Sequence, residues 1–156
     1  MKALVFLLAL LFLSPSILAE TSKPELSLDK VVSEMNKEKE NKVKYFVSVA
    51  EAKKDVDVVK ALKADKNYTF INTIIHGEHI LTYCIKNKMW KSAEELIKGG
   101  SNLNHKDSDG KVALMYAAEG KNKYLATMII ASKADKKIKD NAGVTAEEYL
   151  KRNGLN

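Results

Sequence analysis

Apolar and polar positions follow a helical period along most of the chain, and the pattern breaks at regular intervals. Residues 28–35 are apolar at positions 28, 31, 32 and 35, which predicts one amphipathic helix. Residues 36–44 are nearly all charged or amide, and we predict that they fray or turn. Residues 45–62 contain two apolar stripes separated by a polar break. This predicts a first helix pair, with Asp55 as the N-cap of its second helix.

A fixed repeat organises the remainder of the chain. Asp107 recurs as Asp140, and Gly110 recurs as Gly143, which gives a period of about 33 residues. A turn signal and two short helical patterns in each period predict a solenoid, in which stacked units bury each other's apolar faces. The units are predicted at residues 41–73, 74–106 and 107–139, with a half unit at 140–154. The first unit fits this register only with one inserted residue.

Polar segments are expected to close the two ends of the stack, because end units need a polar outer face. Residues 20–40 are predicted to form a leader and an N-terminal cap helix. Thr145 and Glu148 have the spacing of a capping box, and Asn153 followed by Gly154 predicts a left-handed C-cap.

The first 19 residues have the pattern of a secretory signal peptide. Lys2 precedes an apolar run at residues 3–13, and a polar break precedes Ala19. We predict cleavage after Ala19. The alternative is an uncleaved anchor helix, but a membrane span needs about 20 apolar residues. We therefore expect a periplasmic or secreted protein, with no stable membrane anchor after cleavage.

Composition argues against a nucleic-acid partner. The formal net charge is +6, but Arg152 is the only arginine among the cations. Arginine is the residue that pairs bidentately with phosphates and guanines, so we interpret the lysines as a solvated surface. Cys84 is the only cysteine, so no internal disulfide can form. The repeat register assigns Cys84 to a buried position.

The chain resembles the ankyrin-repeat family in four places. These are the turn at residues 107–110, Leu114, the alanines at 117–118 and the residues that end the unit, 134–135. The family's unit opens with Asp-x-x-Gly, continues with Thr-Pro-Leu-His and two alanines, and closes with Gly-Ala-Asp. The resemblance covers residues 41–154 and implies an all-α solenoid of helix-turn-helix units with short β-hairpin-like loops. The Thr-Pro-Leu-His motif itself is degenerate here. A tetratricopeptide array, the alternative, has a 34-residue period and lacks the Asp-x-x-Gly turn.

The resemblance implies binding through the turn tips and the exposed ends of the first helices. The corresponding residues in this sequence are Ile75, His76, Glu78, Lys86, Asn87, Trp90, Ser108, Asp109, Lys111, Glu119, Asn141 and Val144. Trp90 is expected either to wedge between units or to anchor a partner. The resemblance therefore predicts a monomeric binding module for one protein partner, such as an inhibitor, an immunity protein or an accessory protein of an enzyme.

Three histidines raise an alternative function, a haem- or metal-handling accessory factor that supports an enzyme such as catalase. His76, His79 and His105 are the weak candidate ligands. The register directs His79 into the packed interior and His76 to a turn tip, so we expect no cofactor. The sequence contains no nucleophile elbow, phosphate loop or paired CxxC motif, and we expect no catalysis.

Overall fold

The computed structural model describes residues 28–65 and 70–155. The helices are α1 (Leu28–Glu51), α2 (Asp55–Ala64), α3 (Ile80–Lys86), α4 (Trp90–Lys98), α5 (Ala113–Glu119), α6 (Lys123–Ala131) and α7 (Ala146–Arg152). The strands β1 (Ile74–Ile75) and β2 (Glu78–His79) pair as an antiparallel hairpin. The predicted signal peptide, residues 1–19, lies outside the described residues. Within the described ranges, every helix is too short or too polar to cross a lipid bilayer.

Helix α1 is longer than the sequence pattern predicts. It continues without a break through residues 36–44, so the prediction that they fray or turn is wrong. Two pairs at i,i+4 spacing lie in this stretch, Glu38 with Lys42 and Glu40 with Lys44, each at 2.7 Å. Such pairs stabilise a helix by about 0.2–0.5 kcal/mol each, and lysine and glutamate are good helix formers. The predicted cap helix and the first helix of the first pair are therefore one helix.

The described residues fall into two units that divide between Tyr45 and Phe46, and α1 passes through the boundary. In the second unit, α3, α5 and α7 are the first helices of successive repeats, and each contacts the next. The second helices, α2, α4 and α6, also each contact the next. This arrangement confirms the predicted stack of helix pairs. Cys84, Ala117 and Leu150 share one repeat position, and all three are buried.

Asp55 joins two repeats and does not cap its own helix. The N-cap of α2 is Lys54, so the prediction for Asp55 is wrong. Its carboxylate accepts the backbone N–H groups of Lys91 at 3.2 Å and Ser92 at 2.8 Å, at the start of α4. A carboxylate at a helix N-terminus satisfies free amides and complements the helix dipole. Asp55 therefore caps the second helix of the following repeat.

The first repeat is longer than the sequence register predicts. The second helices begin at Asp55, Trp90 and Lys123, so the first interval is longer than the second by two residues. The residues with positive φ just before these helices are Lys53, Lys88 and Lys121, and the first spacing between them is again two residues longer than the second. The first repeat therefore carries two extra residues, and the prediction of one is wrong.

The turns that open the last two repeats are built alike. The carboxylates of Asp107 and Asp140 each accept the backbone N–H groups two and four residues ahead. Gly110 and Gly143 then adopt positive φ, at 72° and 79°. Asn141 joins the two turns, because its backbone N–H and its side-chain amide both donate to carbonyls of the preceding turn, at 3.0 Å and 2.9 Å.

Alanine substitutions at the two turn glycines test this contact. Both place a side chain at positive φ, which costs about 1–2 kcal/mol. A Cβ at Gly110 would also lie 2.5 Å from Asn141 Oδ1, whereas nothing lies within 4 Å of one at Gly143. We expect Gly110→Ala to lower the free energy of unfolding by about 1–2 kcal/mol more than Gly143→Ala, because the methyl group must displace Asn141. Urea unfolding measures both; equal losses would contradict the structural role of the contact.

Candidate functional site

Three tyrosines occupy one repeat position along the stack. Tyr83, Tyr116 and Tyr149 recur at the repeat period, and they lie in α3, α5 and α7. Each is half-buried. Because these helices contact each other in order, the tyrosines form a column on one face of the second unit. The sequence predictions missed this column, although the regular spacing of the three tyrosines was a signal that could have found it.

Hydrogen bonds to the turns fix two of these tyrosines. The hydroxyl of Tyr116 donates to Asp107 Oδ2 at 2.5 Å, and that of Tyr149 donates to Asp140 Oδ2 at 2.7 Å. Burial and the bond to the carboxylate raise the pKa of Tyr116. The bond from Tyr149 in turn lowers the pKa of Asp140. The turn aspartates therefore have two roles, since they hold the turn amides and orient the tyrosines.

Two lysines lie against the tyrosine rings. Lys86 Nζ is 5.2 Å from the centre of the Tyr116 ring. Lys111 Nζ is 5.4 Å from the centre of the Tyr116 ring and 5.2 Å from that of Tyr149. An ammonium group within about 6 Å of a ring centre makes a cation–π interaction. Lysine and tyrosine therefore alternate along the face, in the order Lys86, Tyr116, Lys111 and Tyr149.

Each of these lysines is paired with a glutamate eight residues away. Lys86 binds Glu78, and Lys111 binds Glu119 at 2.6 Å. Glu78 and Lys111 share one repeat position, and Lys86 and Glu119 share another. The charges are therefore reversed from one repeat to the next. Burial opposes the charged form of Lys111, but its hydrogen bonds to Glu119 and Tyr149 outweigh this and raise its pKa.

We define the tyrosine ladder as Tyr83, Tyr116, Tyr149, Lys86, Lys111, Glu78 and Glu119. The repeat that contains Tyr83 differs from the two later repeats, because Ile74 occupies the position where they have aspartate. Tyr83 therefore lacks the equivalent carboxylate acceptor. Burial and the nearby Glu51 raise the pKa of Tyr83. Glu51 in turn pairs with the exposed His76, whose Nε2 lies 3.0 Å from Glu51 Oε1.

The structure divides the predicted binding residues into several groups. Ile75 is 2% exposed, so its assignment to an exposed turn tip is wrong. Successive strand residues point to opposite faces, and Ile74 is the one that faces outward. The predicted residues that belong to the ladder are Glu78, Lys86, Lys111 and Glu119. Those outside the ladder are His76, Asn87, Trp90, Ser108, Asp109, Asn141 and Val144, of which Asn87, Trp90 and Val144 are half-buried.

His76 is exposed at a turn tip and His79 is buried, as the register predicts. His79 Nδ1 accepts the Leu81 N–H at 3.4 Å, which leaves Nε2 to donate to Asn72 Oδ1 at 3.1 Å. The ring of His105 meets that of His79 edge to face, with 5.1 Å between centroids. A metal or haem iron would have to displace one of the bonds of His79. Among the described residues, no three His, Cys, Asp or Glu side chains are grouped to hold a metal ion.

Comparison with known proteins assigns the repeats to a family. The family model described as ankyrin repeats (three copies) matches residues 46–140. The chain belongs to the ankyrin-repeat family. Ankyrin repeats are protein–protein interaction modules. The crystal structure of EF0377, an ankyrin repeat protein, is 16% identical with a TM-score of 0.43, and the match covers 70% of this chain and 92% of that chain. No curated protein matches the chain.

The buried His79 should make the stability of these ankyrin repeats depend on pH. Burial, with a smaller effect from His105, lowers the pKa of His79 to about 4. An unfolded histidine has a pKa of about 6.5. Between these values the unfolded state binds more protons, so the free energy of unfolding falls as the pH falls.

We expect wild type to lose about 2 kcal/mol more stability between pH 7 and pH 4.5 than His79→Asn does. Asparagine retains an N-cap acceptor for the Leu81 amide but does not titrate. Urea unfolding of both proteins across this pH range measures the difference. An identical pH dependence would contradict the assignment of His79 as a neutral buried histidine.

Proposed function

We propose that this ankyrin-repeat protein is a non-catalytic module that binds one protein partner on the tyrosine ladder, outside the cytoplasm. The observation that carries the proposal is the alternation of lysine and tyrosine along successive first helices. Tyrosine is enriched among the residues that contribute most to protein interfaces. Its ring offers a large contact area, and its hydroxyl offers a polar group. A half-buried column of tyrosines therefore fits a protein ligand.

The ladder is held in one arrangement by contacts within the protein. Tyr116 and Tyr149 are bonded to turn aspartates, and Lys111 lies against both rings. Immobilising a flexible side chain at an interface costs about 0.5–1.5 kcal/mol. Side chains that are already fixed avoid much of this cost, so the ladder is preorganised for binding.

The reversed charge pairs supply selectivity. A partner that follows the ladder meets Glu78 and Lys86 in one repeat and the opposite arrangement, Lys111 and Glu119, in the next. Like charges placed against each other at an interface are unfavourable. A partner shifted by one repeat along the ladder would place its charges against like charges. The pattern therefore favours a single partner in a single register along the ladder.

Substitution of two ladder tyrosines tests the binding face. We expect Tyr116→Ala combined with Tyr149→Ala to weaken capture of the partner at least about tenfold, which corresponds to about 1.4 kcal/mol. Tyr124→Ala is the matched control, because Tyr124 is 59% exposed and lies on α6, outside the ladder. The bait is immobilised protein, checked for folding by circular dichroism, and the sample is the extracytoplasmic fraction of the source cells. Mass spectrometry quantifies the retained protein. Equal retention by all three proteins would contradict the proposed face.

The proposed compartment rests on the apolar segment at residues 3–13 and the break before Ala19. We expect the mature protein to begin at Glu20, and intact-mass measurement after expression of the full chain tests this. Leu8→Arg places a charge in the apolar run and should leave the protein uncleaved in the cytoplasm. An uncleaved, cytoplasmic wild-type chain would contradict the proposed export.

A further inference from the structure

Six lysines lie where the first helix of a repeat connects to the second. We define the lysine edge as Lys53, Lys54, Lys88, Lys91, Lys121 and Lys123. All six side chains are exposed. Within the part of the chain that the structure describes, none of the six forms an ion pair. The sequence shows these lysines as scattered pairs, but Lys53, Lys88 and Lys121 occupy one repeat position, and each has a second lysine of the edge within three residues.

The stacking of the second helices brings the three connections into line. Helices α2, α4 and α6 contact each other in order, and each begins directly after one connection. Lys53, Lys88 and Lys121 all have positive φ, at 54°, 59° and 51°, so the three connections turn alike. Packed helices lie about 8–10 Å apart, so the lysine edge extends over about 20 Å.

The acids closest to the lysine edge in the sequence bond to groups other than the lysine ammonium groups. Glu51 pairs with His76, and Glu119 pairs with Lys111. The carboxylate of Asp55 accepts backbone amides at the start of α4. Among the described residues, no carboxylate therefore lies within ion-pair distance of the six ammonium groups, which remain exposed to an external charge. Exposed charges of one sign attract an oppositely charged surface over roughly a Debye length, about 8 Å at physiological salt.

We propose that the lysine edge binds the surface of an anionic lipid bilayer. A lysine ammonium is a hydrated point charge on a flexible stem, which suits a diffuse field of negative charge better than a bidentate phosphate contact. The lysines lie at exposed connections along a line, so several can approach an extended charged surface together. Each basic residue near an anionic leaflet adds to the attraction. The association is peripheral, and it is independent of partner binding at the tyrosine ladder.

Co-sedimentation of the full chain with phosphatidylcholine vesicles, with and without phosphatidylglycerol, tests the proposal. The apolar segment at residues 3–13 can enter either vesicle, so the difference between the two affinities isolates the electrostatic part. We expect affinity for the anionic vesicles to be at least about tenfold higher at low salt, and the difference to vanish near 0.5 M salt, where the Debye length is only about 4 Å. Equal affinity for both vesicles at low salt would overturn the proposal.

A matched pair of variants locates the binding surface. In one, all six lysines of the edge are changed to glutamine. In the other, the same change is made at six exposed lysines that lie elsewhere, Lys106, Lys133, Lys136, Lys137, Lys139 and Lys151. We expect the edge variant to lose the charge-dependent affinity at least about tenfold and the control variant to lose less than about threefold. Circular dichroism confirms that both fold.

Two further outcomes would overturn the proposal. Equal losses in the two variants would show that net charge alone causes binding. Retention of a poly-glutamate peptide by wild type, together with indifference to anionic vesicles, would assign the edge to an acidic protein segment. Loss of vesicle binding confined to the edge variant, with poly-glutamate bound by wild type no better than by the edge variant, would support the bilayer.

Discussion

Apolar contact between successive repeats is the constraint on which the structure depends. Helices α3 to α7 contain only seven to nine residues each, and isolated helices of that length are not stable in water. Each helix must therefore bury one side against its neighbours. Ile80, Ala113 and Ala146 share one repeat position and are all buried. The small side chain at the second and third of these positions lets the helices approach closely.

Apolar burial is not directional, and polar contacts between repeats set the register. Asp55 caps the second helix of the next repeat. Asn72 Oδ1 accepts the Asn102 N–H at 2.9 Å, and Asn104 Oδ1 accepts the Asp135 N–H at 3.0 Å, about one repeat further along the chain. Each bond requires a particular alignment of neighbouring units. Ser92 is buried, so a shifted stack that removed its Asp55 partner would cost about 1–3 kcal/mol, whereas the two exposed asparagine contacts add less.

The same stack turns a repeated residue into a surface feature. A side chain that recurs at the same place in each repeat is brought beside its copies, which produces the tyrosine ladder and the lysine edge. Differences between repeats then make the features asymmetric. Ile74 replaces the turn aspartate at one end of the ladder, and the glutamate–lysine pairs are reversed between two repeats. Repetition therefore makes each surface feature long, and the differences between repeats distinguish one end of it from the other.

Signals within a few residues of one another determined the turns and the caps of the last helix, and their recurrence about 33 residues apart determined the period. The capping box of Thr145 and Glu148 and the positive φ of Gly154 are confirmed, because both depend on local backbone geometry. Tertiary structure decided that Asp55 caps another repeat and that Ile75 faces the core. It also decided which lysines lie against the tyrosine rings and which form the lysine edge. Asp55 contacts Ser92 and Lys86 contacts Tyr116, each about one repeat away along the chain, so these contacts exist only once the repeats are stacked.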